Sequence, residues 1–154
     1  MKLIILSPGK VREHWLQAGI DEYVKRLSRY CQVSLLQIDD VPDSWPAEKA
    51  LAEEGRRLLS RIKPQDWVVA LDLCGIQPDS PELAELLPRW LQDGGSAVVF
   101  IIGGSNGLAS AVLERAQVSL CLSKMTFTHQ MARLLLLEQC YRAFRIQSGK
   151  PYHK

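Results

Sequence analysis

Residue types able to build a reaction centre gather in the last third of this 154-residue chain. Gly103-Gly104-Ser105-Asn106-Gly107 follows an apolar run, Ala97 to Ile102, and Ser123-Lys124-Met125-Thr126-Phe127 follows another, Val118 to Leu122. Glycines let a backbone approach a ligand closely, and the amides they uncover donate hydrogen bonds. The spacing is GGxxG, without the GxGxxG of a dinucleotide fold or the Gly-Lys-Ser/Thr of a P-loop. A plain tight turn accounts for it as well as a cofactor loop does. With Leu71-Asp72 at the end of a third apolar run, the two loops are expected to enclose a pocket of apolar side chains and backbone amides. Such a pocket suits a flat heterocycle such as adenine better than a bare phosphate. His129 and Arg133 stand four apart on a helical pattern, as do Glu138 and Arg142, so each pair shares a face. The Glu138–Arg142 pair reads as a helix-stabilising ion pair, although an Arg on a buried helix is costly unless paired or needed. Tyr152 and His153 follow Lys150-Pro151 in a tail that is either a frayed end or a flap over an RNA base.

Alternating strand and helix patterns must position these groups. Strand runs cover Lys2–Ser7, Val33–Ile38, Trp67–Leu71, 97–102 and 118–122, with Gly75 marking the loop after the third. Helical spacing covers 13–29, with Trp15, Leu16, Ile20, Tyr23, Val24 and Leu27 as its apolar stripe. A second helix is expected with Ser44 as cap, Pro46 in its first turn, and Ala50, Leu51, Leu58, Leu59 and Ile62 buried. Ser80-Pro81-Glu82 reads as a helix start with Ser80 as cap, and Pro88 as a kink. A short helix near 110–116 and a long one from Thr128 to Ile146 complete the set. Strands interleaved with helices predict a single α/β domain over 1–154, a mainly parallel sheet with helices on both faces. The last helix is apolar almost all round between Leu134 and Leu137, so it must be covered on every side. A second copy of the chain is the economical cover, and a symmetric homodimer is expected.

Composition bounds the function. Apolar residues make 47% and charged residues 23% of the chain, as in a soluble globular protein. No apolar run approaches the roughly 20 residues that span a bilayer, and the first nine residues read as a strand rather than a leader, so a cytoplasmic protein without membrane contact is expected. Cys31, Cys74, Cys121 and Cys140 lack CxxC spacing, and the three histidines lack zinc-site spacing, so no metal is expected. The net charge of +2 hides an asymmetry: residues 1–123 carry 13 Lys or Arg against 16 Asp or Glu, and residues 124–154 carry 6 against 1. A basic end on a mildly acidic body fits either a solvated face or contact with a phosphate backbone.

Taken together, Val-Val-Ala-Leu-Asp at 68–72, Ile-Gly-Gly-Ser-Asn-Gly-Leu at 102–108, Ser-Lys-Met-Thr-Phe-Thr-His-Gln at 123–130, Tyr-Arg-Ala-Phe at 141–144 and Pro-Tyr-His-Lys at 151–154 resemble a known family. It is the bacterial ribosomal RNA large-subunit methyltransferase H family, of the SPOUT class. The resemblance runs from the first strand to the last residue. It implies a five- to six-stranded SPOUT fold with a C-terminal trefoil knot over about 98–154, an exception to the usual connection rules. It further implies S-adenosylmethionine held by Leu71, Gly103, Leu122, Ser123, Lys124, Met125, Thr126 and Phe127, within a homodimer. The implied reaction is methylation at N3 of a pseudouridine in 23S rRNA on the assembled ribosome. Arg142, which cannot act as a base, is then expected to stabilise charge, His153 and Tyr152 to contact substrate, and His129 to position. A related enzyme for another rRNA or tRNA base, or a non-catalytic RNA-binding assembly factor, are the competing readings. Thr128 stands where many members have Pro, which is expected to loosen the start of the last helix.

Overall fold

The computed structural model describes residues 1–152, so His153 lies outside the described residues. Ten elements alternate along them: β1 (Lys2–Pro8), α1 (His14–Leu27), β2 (Gln32–Ile38), α2 (Ala47–Leu59), β3 (Trp67–Ile76), α3 (Ser80–Asp93), β4 (Val98–Ile101), α4 (Ser110–Arg115), β5 (Val118–Leu120) and α5 (His129–Gln147). The strands form one sheet in the order β2-β1-β4-β3-β5. Every strand pairing in it is parallel. An all-parallel sheet must be covered on both faces, and two apolar layers do this. Leu3, Ile5, Val69, Val98 and Phe100 pack beneath α1, α3 and α5. Ile4, Leu6, Val68, Val99 and Ile101 pack beneath α2 and α4. Crossovers toward the β2 edge carry their helices on the first face and those toward β5 on the second, so all four keep one hand.

Because the strands are parallel, the loops after all five open at one edge of the sheet. The direction of the chain also reverses there. From β1 it turns toward β2, from β4 it turns toward β5, and β1 and β4 are neighbours. Open α/β sheets bind ligands beside such a reversal, outside the carboxyl ends of the strands.

Several local expectations need correction. β3 runs five residues beyond Leu71, with a register irregularity between Leu71 and Ile76, so Gly75 lies inside the strand rather than in a loop after it. A Cβ there would stand 2.4 Å from the Ser119 carbonyl oxygen. Gly75→Ala is therefore expected to force β5 away and lower stability by about 2–4 kcal/mol in urea titration; an unchanged midpoint would refute that packing argument. The cap of α3 is Asp79, which accepts from the Glu82 amide while the Glu82 carboxylate accepts from the Asp79 amide. Ser80 is the first helical residue instead, and its hydroxyl donates to Gln139 Oε1. α3 runs unbroken through Pro88. α2 begins at Ala47 without a side-chain cap, leaving Ser44 and Pro46 outside it. Trp15 is 61% exposed, so it does not join the buried stripe of α1.

α5 is less naked than its sequence suggests. Leu136, Leu137, Cys140 and Ala143 are fully enclosed by α1, α3 and the sheet, whereas Met131, Leu134, Leu135 and Tyr141 are only half-buried. The Thr128 hydroxyl caps the helix, accepting from the Met131 amide at 3.2 Å. A cap of this kind contributes about 1 kcal/mol. Among the described residues no helix is long and apolar enough to cross a membrane, and no cluster of His, Cys, Asp and Glu has the makings of a metal site. Burial holds the Cys140 thiol well above its ordinary range and pushes that of Cys31 up to about 11, as befits cysteines packed as small apolar groups.

Candidate active site

The loop after β4 and the segment after β5 meet at the sheet edge around a cleft of about 280 Å³. Its walls are Leu71, Ile102, Leu108, Leu120, Leu122 and Phe127, and Gly103, Gly104, Ser105, Gly107, Ser123, Met125 and Thr126 border it. The glycine loop closes on itself. Gly107 takes φ +78°, its amide donates to the Gly104 carbonyl, and the two residues form an antiparallel bridge. A side chain at Gly103 would meet the Gly107 carbonyl oxygen at 2.4 Å. That contact makes the loop a tightly closed turn, and Gly103, Gly104, Ser105 and Gly107 of it line the cleft. Ser123 Oγ accepts from the Met125 amide, turning the second segment back across the opening. Of the residues expected at a cofactor, Leu71, Gly103, Leu122, Ser123, Met125, Thr126 and Phe127 line this cleft; Lys124 is exposed and does not.

His129 and Ala132 close the inner end of the cleft from the first turn of α5. One turn on, Arg133 is buried and donates to the carbonyls of Pro8 and Gly9, tying α5 to the loop after β1. Burial, reinforced by the Arg133 charge, lowers the pKa of His129, so its imidazole is neutral at neutral pH.

Arg142 and Tyr152 are elsewhere. Ten residues separate Ala132 from Arg142 along α5, about 15 Å at the rise of a helix. There Arg142 pairs with Glu138 at 2.6 Å and its guanidinium lies 4.7 Å from the Tyr152 ring centroid. The Tyr152 hydroxyl donates to Glu138 and sits 3.1 Å from the Tyr23 hydroxyl. The Tyr152 ring meets that of Tyr141 edge-on. The tail up to Tyr152 is thus docked on α1 and α5, and not frayed. Burial first, then its bond to Tyr23 and the Glu138 charge, raise the Tyr152 pKa far above neutrality; it is a donor and no base. A basic rim of Lys25, Arg26, Arg29, Arg145 and Lys150 borders this cluster.

A family model described as "Predicted SPOUT methyltransferase" matches residues 1–153. Over 159 aligned positions, covering both chains completely, the sequence is 47% identical to the ribosomal RNA large subunit methyltransferase H of Clostridium botulinum (strain Eklund 17B / Type B). The chain belongs to the ribosomal RNA large subunit methyltransferase H family. The member from Carboxydothermus hydrogenoformans is 45% identical, again over the whole of both chains. A probable methylase family protein from Haemophilus influenzae Rd KW20 superposes with a TM-score of 0.53 at 14% identity, covering 99% of this chain and 70% of that one. That likeness concerns the fold alone. The parallel sheet flanked by helices is the SPOUT architecture.

Reading the sequence for motifs missed one residue at this edge. Glu54 is 9% exposed and lies against Gly104, whose Cβ would stand 3.2 Å from its carboxylate. Its signal is present in the spacing: it falls between Ala50 and Leu58 on the buried stripe of α2, where a carboxylate is out of place.

Proposed function

We propose that this chain transfers the methyl group of S-adenosylmethionine to N3 of a pseudouridine in 23S rRNA on the assembled ribosome, as a homodimer. The observation that carries this reading is the cleft between residues 103–107 and 122–127 in a chain 47% identical, end to end, to ribosomal RNA large subunit methyltransferases H. The cleft fits the cofactor in its chemistry. Leucine walls and a phenyl ring suit the adenine faces, and a rim of backbone amides and carbonyls suits its polar edge. S-adenosylmethionine supplies an electrophilic methyl on a sulfonium. Leu71, Gly103, Leu122, Ser123, Met125, Thr126 and Phe127 hold and orient it, and the Ser123 hydroxyl fixes the turn to Met125 beside it.

On the substrate side, the imide N3 carries a proton that must leave before its lone pair attacks well. Arg142 offers a fixed positive charge to the carbonyl oxygens on which negative charge then develops. Tyr152 and the basic rim from Lys25 to Lys150 offer a stacking ring and phosphate contacts. His153 belongs to the same tail.

Within one protomer this set lies about 15 Å along α5 from the cleft. A two-fold axis across α5 removes the difficulty. It runs the partner's helix antiparallel and brings its far end beside the cleft. The apolar surface that such a partner would cover is at hand, because Trp15 (61% exposed), Met125 (75%) and Phe127 (39%) surround the mouth. The dimer is thus a requirement of the site as well as a way to bury half-covered leucines.

Two measurements test this. Ribosomes from a strain lacking the protein, incubated with it and methyl-labelled S-adenosylmethionine, are expected to yield N3-methylpseudouridine in a 23S rRNA digest. A label found in another base or in tRNA would overturn the substrate assignment. Sedimentation at micromolar concentration is expected to give twice the 17.4 kDa chain mass; a monomer would remove the shared site.

A further inference from the structure

Next to the cofactor cleft is a second, polar cavity of about 570 Å³, and the two share Gly104, Ser105 and His129. It lies between the loop after β1, which contributes Gly9, Lys10 and Arg12, and the loop after β4, which contributes Gly104, Ser105 and Asn106. These are the two neighbouring strands from which the chain departs in opposite directions. The polar cavity, not the cofactor cleft, therefore occupies the reversal point where sheets of this kind take a ligand.

Its wall carries a carboxylate without a partner. Glu54 is nine-tenths buried, lines the cavity, and makes no hydrogen bond or ion pair among the described residues. The backbone brings it there. Gly55 lets α2 approach the end of the glycine loop so closely that a Cβ would stand 2.7 Å from that of Ala109. The Glu54 carboxylate oxygens face the cavity space, so a ligand there with a proton to share meets an acceptor that none of the described residues satisfies. The other ionisable groups on the cavity are Lys10 and Arg12 after β1, Asp40 and Asp43 after β2, and His129 on α5. Burial, and then the Asp40 charge, hold the Glu54 carboxyl above the usual carboxylate range against the opposing pull of Arg57. Arg133 stays beneath His129, bound to the Pro8 and Gly9 carbonyls.

We infer that this cavity is the acceptor pocket, which takes the extruded pyrimidine nucleotide, and that Glu54 is the catalytic base that accepts its ring N–H proton. The inference rests on the methyltransferase reading above. Lys10 and Arg12 supply positive charge for the flanking phosphates, and the Trp45 indole supplies an apolar wall for the ring. The linings of this cavity and of the cofactor cleft have Gly104, Ser105 and His129 in common, so the two sites are neighbours at the glycine loop. The step balances. The N3–H bond breaks and its proton passes to Glu54; the electron pair left on N3 forms the N–CH3 bond. As it forms, the carbon–sulfur bond breaks with its pair remaining on sulfur, which becomes a neutral thioether. The neutral His129 imidazole adds no charge against the proton's departure.

The test compares wild type, Glu54→Gln and Glu54→Asp on ribosomes lacking the modification, with calorimetric binding of S-adenosylmethionine measured alongside. Glu54→Gln is expected to bind the cofactor within twofold of wild type and to transfer methyl at least 100-fold more slowly near neutral pH. Without the carboxylate the proton leaves only to solvent base, so the variant's rate is expected to rise about tenfold per pH unit while wild type is nearly flat. Glu54→Asp, which keeps the carboxylate on a shorter stem, is expected to recover part of the rate and the flat profile. An unchanged rate and profile in Glu54→Gln would overturn the assignment. So would a cofactor affinity that falls tenfold or more, because the cavity would then belong to the cofactor's amino-acid end. If wild type itself transfers nothing to these ribosomes, the failure lies in the underlying reading and takes the pocket with it.

Discussion

Replacing Gly103 by alanine is expected to weaken S-adenosylmethionine binding by at least about 30-fold, roughly 2 kcal/mol, while leaving the sheet folded. The added methyl would stand 2.4 Å from the Gly107 carbonyl oxygen and 3.1 Å from Leu108 Cδ2. Neither can yield in place. The carbonyl is held by the Gly104–Gly107 bridge, and Leu108 forms part of the cleft wall and packs against the layer beneath α2 and α4. The loop must therefore open, and the amides and apolar wall it presents move together by an ångström or more. β4 itself is buried at every position and paired on both sides, so the damage stops at the loop. Calorimetric titration reads the loss directly, and thermal melting shows whether the fold survives. A dissociation constant within a factor of two of wild type would mean that the loop is not a cofactor wall.

The second large effect concerns two chains. Arg142→Ala homodimers and Gly103→Ala homodimers are each expected to be nearly inactive on ribosomes. Mixed by co-refolding, half of the dimers carry one of each chain. In a site shared between protomers, such a dimer keeps one intact pair of cofactor cleft and partner Arg142. About a quarter of wild-type activity should then return. If cleft and arginine served the same chain, each site in the mixed dimer would contain one defect and nothing would return. The prediction follows from the roughly 15 Å along α5 between Ala132 and Arg142, together with the apolar side chains exposed around the cleft. Arg142→Ala that is fully active alone would remove Arg142 from the scheme. Losing Arg142 also strands Glu138, which keeps a bond from Tyr152, so the melting temperature of the variant should accompany the activities.

Much of the fold was legible because parallel strands and amphipathic helices obey short-range periodicities. The runs at 2–7, 33–38, 67–71, 97–102 and 118–122 all became strands, within a residue or two except at β3. The extension of β3 to Ile76 was not legible, because Leu73, Cys74 and Ile76 are exposed and it is Ile76 that rejoins the sheet, by pairing with Leu120 of a strand distant in sequence. Helix starts misled for a related reason. Asp79 and Ser80 are both acceptable caps, and the Glu82 carboxylate chose between them. Trp15 sits at a helical spacing that predicts burial, yet within one chain it faces outward. Periodicity reports which face is apolar and says nothing of which chain covers it.

The site divided along the same line. The sequence by itself determined the two loops that border the cleft, the basic tail, the family and hence the reaction class, because each lies in contiguous residues whose types and order survive without coordinates. Only the tertiary structure decided that Lys124 stays out of the cleft lining, that Tyr152 is docked on α1 and α5, and that Arg142 stands far along α5 from the cleft. It alone brought Glu54, 49 residues upstream of Gly103, to the glycine loop. The physical reason is that a parallel sheet gathers the ends of strands remote in sequence at one edge, and the order of those strands is fixed by packing rather than by any local pattern. In this chain that order put β1 beside β4, opening a polar cavity against the first loop that the sequence had shown.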